Sequence, residues 1–234
     1  MHISIAPEIF TCFPGIRVIA LTASGLDNQR EQQEIRERWQ AAWERAAEEV
    51  RKYGNAQSHP HVQPWREHFR ALGVSAKKFP NALEALLRRA FKGDAIFYIN
   101  PLVDFYNAVS LEYLVPVGGF DLAMLPAPLE IRLTRAGDSF QALDEDISQT
   151  VPAGEVAYVT GSTILTRHLM WRQARTALLT STTHSAVLVA EVPGVLGAEV
   201  AENVRQTLQE GLQSYFGVAA TGFILDKARP QASW

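Results

Sequence analysis

Apolar residues recur at three- and four-residue spacing in several stretches of the chain, which is the pattern of amphipathic helices. The longest such stretch is 29–52, where arginine and glutamate fill the opposite face. Another stretch begins at Asn81, a plausible N-cap, and ends at Gly93, a plausible C-terminal stop. The pattern predicts helices at 29–52, 64–72, 81–92, 101–113 and 197–216.

Short segments rich in β-branched residues, separated by turn residues, predict strands. Most of them follow residue 119, whereas most predicted helices precede residue 115. This segregation favours an α+β fold over an alternating α/β fold. The predicted strands are 3–5, 16–21, 95–100, "LEIRLTR", "EVAYVT", "TILTRHL", "ALLTSTT", "SAVLVAEV" and "GFILDK".

The length of 234 residues favours a single domain over two full domains. We expect 1–58 to be an N-terminal elaboration with strands and the amphipathic helix, and 197–234 to close the domain with a helix and a strand. The lone Cys12 excludes an intrachain disulfide, which favours a cytoplasmic location. The most apolar stretch is interrupted by Glu191 and Pro193, so no membrane span is expected.

The common motifs of nucleotide hydrolysis, dinucleotide redox chemistry and zinc binding do not occur in the chain. His59 and His61 lie in a loop without nearby carboxylates or thiols, and a closed zinc site needs four converging ligands. We therefore expect no metal and no cofactor.

The net charge of -3 conceals a local excess of positive charge. Between residues 64 and 93, seven basic side chains accompany only two acidic ones, and 167–175 adds three arginines. Such clusters can contact the phosphates of a nucleic acid, or can be solvated helix faces without a partner. The residues expected to bind RNA are Lys77, Lys78, Arg88 and Arg89.

Residues 100–122 are mostly apolar but contain five conspicuous polar side chains. A buried polar group without a partner costs about 1–3 kcal/mol, so these residues require an explanation. On a helix, Asn107 and Ser110 lie one turn apart, and they can face a pocket or brace the turn expected at Gly118 and Gly119. The pattern leaves both interpretations open. The five polar residues are Asp104, Asn107, Ser110, Glu112 and Asp121.

His184 lies at the end of a predicted strand, beside the hydroxyl of Thr183 and other hydroxyls. It is a candidate base, or a partner that positions a water molecule. The alternative is a strand-end histidine whose hydrogen bonds are satisfied locally.

The stretch "NPLVDFYNAVSLEYLVPVGGFDL" resembles a segment of the form N-x-V-D-x-T-N-Y-V-x-L-E-x-G-Q-P-L-H-A-F-D in the beta subunit of bacterial phenylalanyl-tRNA synthetase. That segment belongs to the editing domain, the B-three/B-four domain, and with its flanks the resemblance covers roughly residues 60 to 200. The positions in register are Val103-Asp104, Asn107, Leu111-Glu112 and Phe120-Asp121.

The resemblance implies helices packed on an antiparallel or mixed β-sandwich-like core, as in the editing domain of the synthetase. It further implies a stand-alone domain that hydrolyses the ester of mischarged aminoacyl-tRNA in trans, without aminoacylation activity. The partner would then be tRNA. Two other functions stay open: a non-catalytic module that binds an amino-acid-like ligand or a tRNA end, and a structural partner of the synthetase. Nothing in the sequence indicates an oligomeric state.

The resemblance also suggests a site. Asn107, Ser110 and His184 are the candidate catalytic residues, and backbone N–H groups beside the glycine pair would stabilise an oxyanion by about 3 kcal/mol. For Asp121 we prefer a turn-capping role over binding of the ammonium group. The residues expected to bind substrate are Gly118, Gly119, Asp121, Arg167, Trp171, Arg172, Arg175 and Thr183.

Two positions depart from the family's pattern. Gly118 takes the place of a histidine, and Arg175 takes the place of a glutamate that reads the hydroxyl of tyrosine. A cation in place of that acceptor is expected to abolish recognition of a phenol and to favour an anionic group.

Overall fold

The computed structural model describes all residues from 1 to 234 and confirms the α+β class. The helices are α1 (Ile9–Cys12), α2 (Gln33–Arg51), α3 (Gln63–Ala71), α4 (Ala82–Lys92), α5 (Pro101–Tyr113) and α6 (Gly197–Phe216). The strands are β1 (His2–Ile5), β2 (Arg17–Ser24), β3 (Val117–Asp121), β4 (Leu129–Leu133), β5 (Ser139–Phe140), β6 (Gln149–Thr150), β7 (Val156–Thr160), β8 (Thr163–Arg167), β9 (Arg172–Gln173), β10 (Ser185–Val192), β11 (Ala220–Leu225) and β12 (Gln231–Ser233).

Local capping sets the ends of the two helices that frame the site. The side chain of Asn81 accepts a hydrogen bond from the N–H of Glu84 at the start of α4, and Gly93 ends that helix in the left-handed conformation. Asn100 caps α5 in the same way by accepting from the N–H of Val103. Pro101 occupies the first turn of α5, where its missing N–H costs nothing.

The strands form two sheets. The larger sheet has eight strands in the order β12-β1-β4-β7-β8-β5-β6, with β9 paired to β8. It is mixed, because β1 runs parallel to β4 and β5 runs parallel to β8. The smaller sheet has the order β11-β2-β10-β3 and is antiparallel throughout. Strand β3 is therefore an edge strand of the smaller sheet and pairs only with β10 there.

The smaller sheet is buried on both faces. On β10, Val187 and Val189 belong to the core shared with the larger sheet. Leu188 and Ala190, on the opposite face, pack in a second core with α5 and α6. This alternation follows from the two-residue period of a strand. The order of layers is therefore larger sheet, smaller sheet and helices, and α2 and α4 pack outside α5 in a third core.

The segment 1–58, predicted as an elaboration, supplies part of this framework. Its strand β2 lies inside the smaller sheet, between β11 and β10, and its strand β1 pairs with β4 and β12. None of the six helices combines the length and the apolar character that a bilayer crossing requires.

Three local predictions are wrong. Residues 95–100 form an irregular segment rather than a buried strand, with Tyr98 and Ile99 exposed. The stretch "ALLTSTT" forms turns, because its hydroxyls bond to its own backbone; Thr183 Oγ1 accepts from the N–H of Thr180 at 3.0 Å. The pair Gly118-Gly119 lies within β3 and does not form a turn.

Candidate functional site

A cavity of about 310 Å³ lies where α4, α5 and β3 meet the larger sheet, and it is called the first cavity. Fourteen of its 23 lining residues are hydrophobic. Cavities of this size, mostly apolar with a few polar groups, are typical of sites that bind small organic molecules. Its aromatic walls are Phe97, Tyr106, Phe120, Tyr158 and Trp171.

Asn107 lines this cavity from α5. It is only 8% exposed, and its side-chain amide makes no hydrogen bond within the protein. Its amide atoms are not among the fully buried unpaired polar atoms, so solvent or a ligand in the cavity can bond to them. The amide of Asn107 is therefore available to a molecule in the first cavity.

The other polar residues of this stretch brace the backbone instead. The hydroxyl of Ser110 donates to the carbonyl of Val115 at 2.6 Å, so it fixes the turn after α5 and does not face the cavity. One oxygen of Asp121 accepts from the N–H of Ala123 at 3.0 Å, and the other accepts from the hydroxyl of Thr183 at 2.7 Å. Asp121 thus caps a turn, and neither Asp121 nor Thr183 lines the cavity.

Gly118 and Gly119 both line the first cavity, but the space around them differs. A Cβ atom on Gly118 would meet no atom within 4 Å. A Cβ atom on Gly119 would lie 2.7 Å from a methyl carbon of Leu188, which is too close. The chain therefore requires glycine at 119 for packing, whereas position 118 has room for a side chain.

Glu191 and Tyr158 form a buried pair that sequence reasoning missed. Both residues line the first cavity, and the hydroxyl of Tyr158 donates to Oε1 of Glu191. Burial raises the pKa of Glu191 to about 7, although the hydrogen bond from Tyr158 opposes the shift. A carboxyl group that exchanges its proton near neutral pH is typical of functional sites. The signal in the sequence was a single acid in the apolar strand "SAVLVAEV".

Trp171 and Arg172 line the first cavity, whereas Arg167 and Arg175 do not. All three arginines are ion-paired with acids from other parts of the larger sheet and its loops, so the local excess of charge is largely neutralised. The pairs are Arg167 with Glu155 at 2.7 Å, Arg172 with Asp144 and with Glu145 at 3.6 Å, and Arg175 with Asp146 at 3.1 Å.

The predicted RNA-binding residues divide into two groups. Arg88 pairs at 2.6 Å with the buried carboxylate of Glu84, which also binds Arg66. Arg88 therefore has a structural partner. Lys77, Lys78 and Arg89 are exposed, and Arg89 has only a distant ion-pair partner, Asp94, at 3.9 Å. Arg89 also lines the first cavity, with its guanidinium carbon 4.0 Å from the centroid of the Phe97 ring.

His184 lies outside the first cavity. Its ring nitrogen Nδ1 is 3.0 Å from the carbonyl of Leu26, and the residue is exposed. This placement matches the second interpretation, a strand-end histidine with a local partner, and not a base facing the cavity.

Residues 64–207 match the family model described as the B3/4 domain. The chain belongs to the B3/4 domain family. The match confirms the family identified from residues 100–122. Every residue that lines the first cavity, from Ala82 to Glu191, falls within the matched part of the B3/4 domain. The cavity is thus a feature of the family's own portion of the chain.

Among solved structures, the chain is similar to an N-terminal fragment of the phenylalanyl-tRNA synthetase beta subunit from Pyrococcus horikoshii. The two share 8% sequence identity with a TM-score of 0.49, and the alignment covers 96% of this chain and 54% of that chain. This chain therefore spans about half the length of that fragment. A search of curated proteins finds no match to the chain.

Proposed function

We propose that this B3/4 domain binds the aminoacylated end of a mischarged tRNA in its first cavity and hydrolyses the ester in trans. The observation that carries the proposal is the unpaired amide of Asn107 in a cavity with apolar walls. The walls suit the side chain of an amino acid, and the amide suits the ester carbonyl or the attacking water. Holding the ester and the water in a fixed relative orientation lowers the activation barrier for hydrolysis.

Glu191 supplies the proton transfer in this proposal. In its ionised form it accepts a proton from water as the water adds to the ester carbonyl. The tetrahedral intermediate then collapses, the proton passes to the leaving ribose oxygen, and the free amino acid departs. A group whose pKa lies near the working pH suits both steps, and burial raises the pKa of Glu191 to about 7.

Contact with RNA is proposed for three exposed cations, of which one, Arg89, lines the first cavity. Lys77 and Lys78 precede α4, and Arg89 lies on α4 at the cavity itself. Phosphates bound there would place the end of the tRNA at the cavity. We further propose that the whole chain acts as one domain and that it works in the cytoplasm, where charged tRNA is used.

The proposal is tested with purified protein and a panel of mischarged tRNAs. We expect ester loss from at least one of them, and an Asn107→Ala variant that is slower by at least about tenfold, because one positioned polar group contributes about 1.4 kcal/mol or more to the rate. Asn203→Ala is the matched control, since Asn203 is exposed on α6. If the protein spares every tRNA of the panel, it is not a hydrolase.

Binding without turnover is the second candidate. One observation favours it: Gly118 stands where the resemblance places a histidine, and none of the six histidines lines the first cavity. In that case an amino-acid-like ligand would bind saturably, Asn107→Ala would weaken binding, and no tRNA would lose its ester. The same panel of tRNAs, combined with calorimetric titration of free amino acids, separates the two candidates.

A further inference from the structure

A second cavity, of about 190 Å³ and mostly polar, adjoins the first. Only three of its twelve lining residues are hydrophobic. Ile99 lines both cavities, and α5 presents Val103 to the first cavity and Asp104 to the second. The two cavities therefore lie on either side of the irregular segment 95–100 and the first turns of α5.

Asp104 provides the open polar group of the second cavity. The residue is 4% exposed, and Oδ1 accepts a hydrogen bond from the N–H of Ile99 at 2.9 Å. Its other oxygen, Oδ2, accepts no hydrogen bond within the protein. Burial raises the pKa of this carboxyl group, although the bond from Ile99 opposes the shift. A buried carboxylate with a vacant acceptor is stabilised by a ligand that donates a hydrogen bond.

The N-terminal amides of α5 are already used. The N–H of Leu102 donates to the side chain of Asn28 at 2.9 Å, and the N–H of Val103 donates to the side chain of Asn100 at 3.0 Å. A helix N-terminus usually attracts anions through such free amides. Here the open group is an acceptor, so this end of α5 suits a hydroxyl or amino group and not a phosphate.

An aromatic surface borders the same cavity. Tyr98 lines it and is 40% exposed. The guanidinium carbon of Arg36, which also lines the cavity, lies 4.7 Å from the centroid of the Tyr98 ring. Flat rings stack favourably on tyrosine and on guanidinium planes. The cavity thus combines a stacking surface with an acceptor for hydroxyl groups.

We propose that the second cavity binds a nucleoside, with a sugar hydroxyl donating to Oδ2 of Asp104 and the base stacked on the pair of Tyr98 and Arg36. The nucleoside is the terminal one of the RNA in the first cavity's proposed substrate, so this step rests on the proposed function. Because Ile99 lines both cavities, a nucleoside in the second cavity would be a neighbour of an aminoacyl group in the first.

The test is a titration of the full chain with adenosine, adenine and ribose, followed by calorimetry or by NMR shifts. Adenosine should bind more tightly than either of its parts. Tyr98→Ala should weaken adenosine binding by at least about fivefold, the lower end of the effect of losing one stacked base. Tyr53→Ala is the matched control, because Tyr53 is similarly exposed, at 38%, and lines neither cavity.

Asp104→Asn should weaken adenosine binding while leaving binding of adenine unchanged. Because Asp104 is buried, the melting temperature of this variant must be measured alongside, and Tyr98→Ala serves as the second, exposed variant. Absence of saturable adenosine binding, or equal affinity in wild type and Tyr98→Ala, would overturn the proposal.

The outcomes also separate this inference from the proposed function. Adenosine binding that depends on Tyr98, without ester loss from any tRNA, leaves the nucleoside site standing and removes the hydrolase. Ester loss that is equally fast in wild type and Tyr98→Ala keeps the hydrolase and removes the nucleoside site.

Discussion

The two cavities each contain one buried carboxyl group, in different surroundings. In the first cavity, Glu191 faces aromatic walls and receives a bond from Tyr158. In the second, Asp104 receives a backbone N–H from Ile99 and lies among amide and charged side chains. Burial raises the pKa of both groups, but it brings that of Glu191 to about 7. The two carboxyl groups therefore differ in their hydrogen-bond donors and in the side chains that surround them.

This difference is the basis for proposing different ligand parts for the two cavities. Apolar walls and an unpaired amide suit an amino-acid side chain with its ester. The second cavity, which is polar and has an exposed tyrosine, suits a sugar and a base. Four experiments test this difference, taken from the largest expected effect to the smallest. They change residues of the first cavity, residues that brace it and one residue on the surface nearby.

The largest effect is expected from the titration of Glu191. Its folded-state pKa of about 7 exceeds its ordinary value of 4.5, so between these values the folded protein keeps a proton that the unfolded chain has lost. Stability contributed by this group is complete at low pH and falls as pH rises toward and through 7, by roughly 3 kcal/mol in all. Denaturant unfolding of wild type and Glu191→Gln at several pH values measures the difference.

In that experiment the Gln variant lacks the titration, so the stability of wild type relative to the variant should decline between about pH 5 and pH 8. Parallel curves for the two proteins would mean that Glu191 ionises normally and does not serve as the proton-exchanging group.

The next largest effect is expected from the glycine pair. Gly119→Ala places a methyl group 2.7 Å from Leu188 and 3.0 Å from the carbonyl of Val187, and it should lower the free energy of unfolding by about 2 kcal/mol. Gly118→Ala enters open space and should change it by less than about 0.5 kcal/mol. Thermal unfolding of the two variants measures the contrast, and equal losses would show that the cavity wall at 118 is closed.

A smaller effect separates bracing from binding on α5. Ser110→Ala removes the bond to the carbonyl of Val115 and should cost about 1 kcal/mol of stability without changing ligand affinity. Asn107→Ala should weaken ligand binding without changing stability, because the amide of Asn107 has no hydrogen-bond partner in the protein to lose. Melting temperatures and ligand titrations on both variants measure the two effects. A loss of stability in Asn107→Ala would mean that its amide supports the fold and is not free for a ligand.

The smallest effect is expected at Arg175. Its ion pair with Asp146 is exposed on both sides, and such pairs are worth at most about 1 kcal/mol. Arg175→Ala should therefore change stability by less than about 0.5 kcal/mol and leave ligand affinity unchanged. A strong loss of ligand affinity would mean that Arg175 binds the ligand, as the resemblance to the family suggests.

Much of the fold could be predicted because it rests on local signals. The ends of α4 follow from Asn81 and Gly93, whose capping depends on adjacent residues alone. The prediction of a strand at 95–100 is wrong because Phe97 and Ile99 line cavities and Ile96 packs against the third core, so these residues do not fill a sheet. Hydrophobicity alone does not distinguish a buried strand from the wall of a pocket.

The candidate site could be predicted only in part, for a related reason. Three of the predicted site residues line the first cavity, and all of them lie in segments with unusual polar or basic residues: Asn107, Gly118 and Trp171. Glu191 was missed because its role depends on Tyr158, which the other sheet supplies. The arginines of 167–175 were predicted as binding residues from local charge alone, and their carboxylate partners lie elsewhere in the chain. Pairing between distant segments is not visible in local charge counts.

The interior position of β2 has a consequence for how the protein is made. This strand is synthesised long before both of its neighbours in the smaller sheet, β10 and β11, which lie far later in the chain. Until then its apolar faces and both hydrogen-bonding edges lack their native cover, and pairing over such sequence distances is slow. The nascent chain should therefore depend on chaperones until β10 and β11 appear, and the first cavity, which Val189 and Glu191 of β10 line, should assemble only after that.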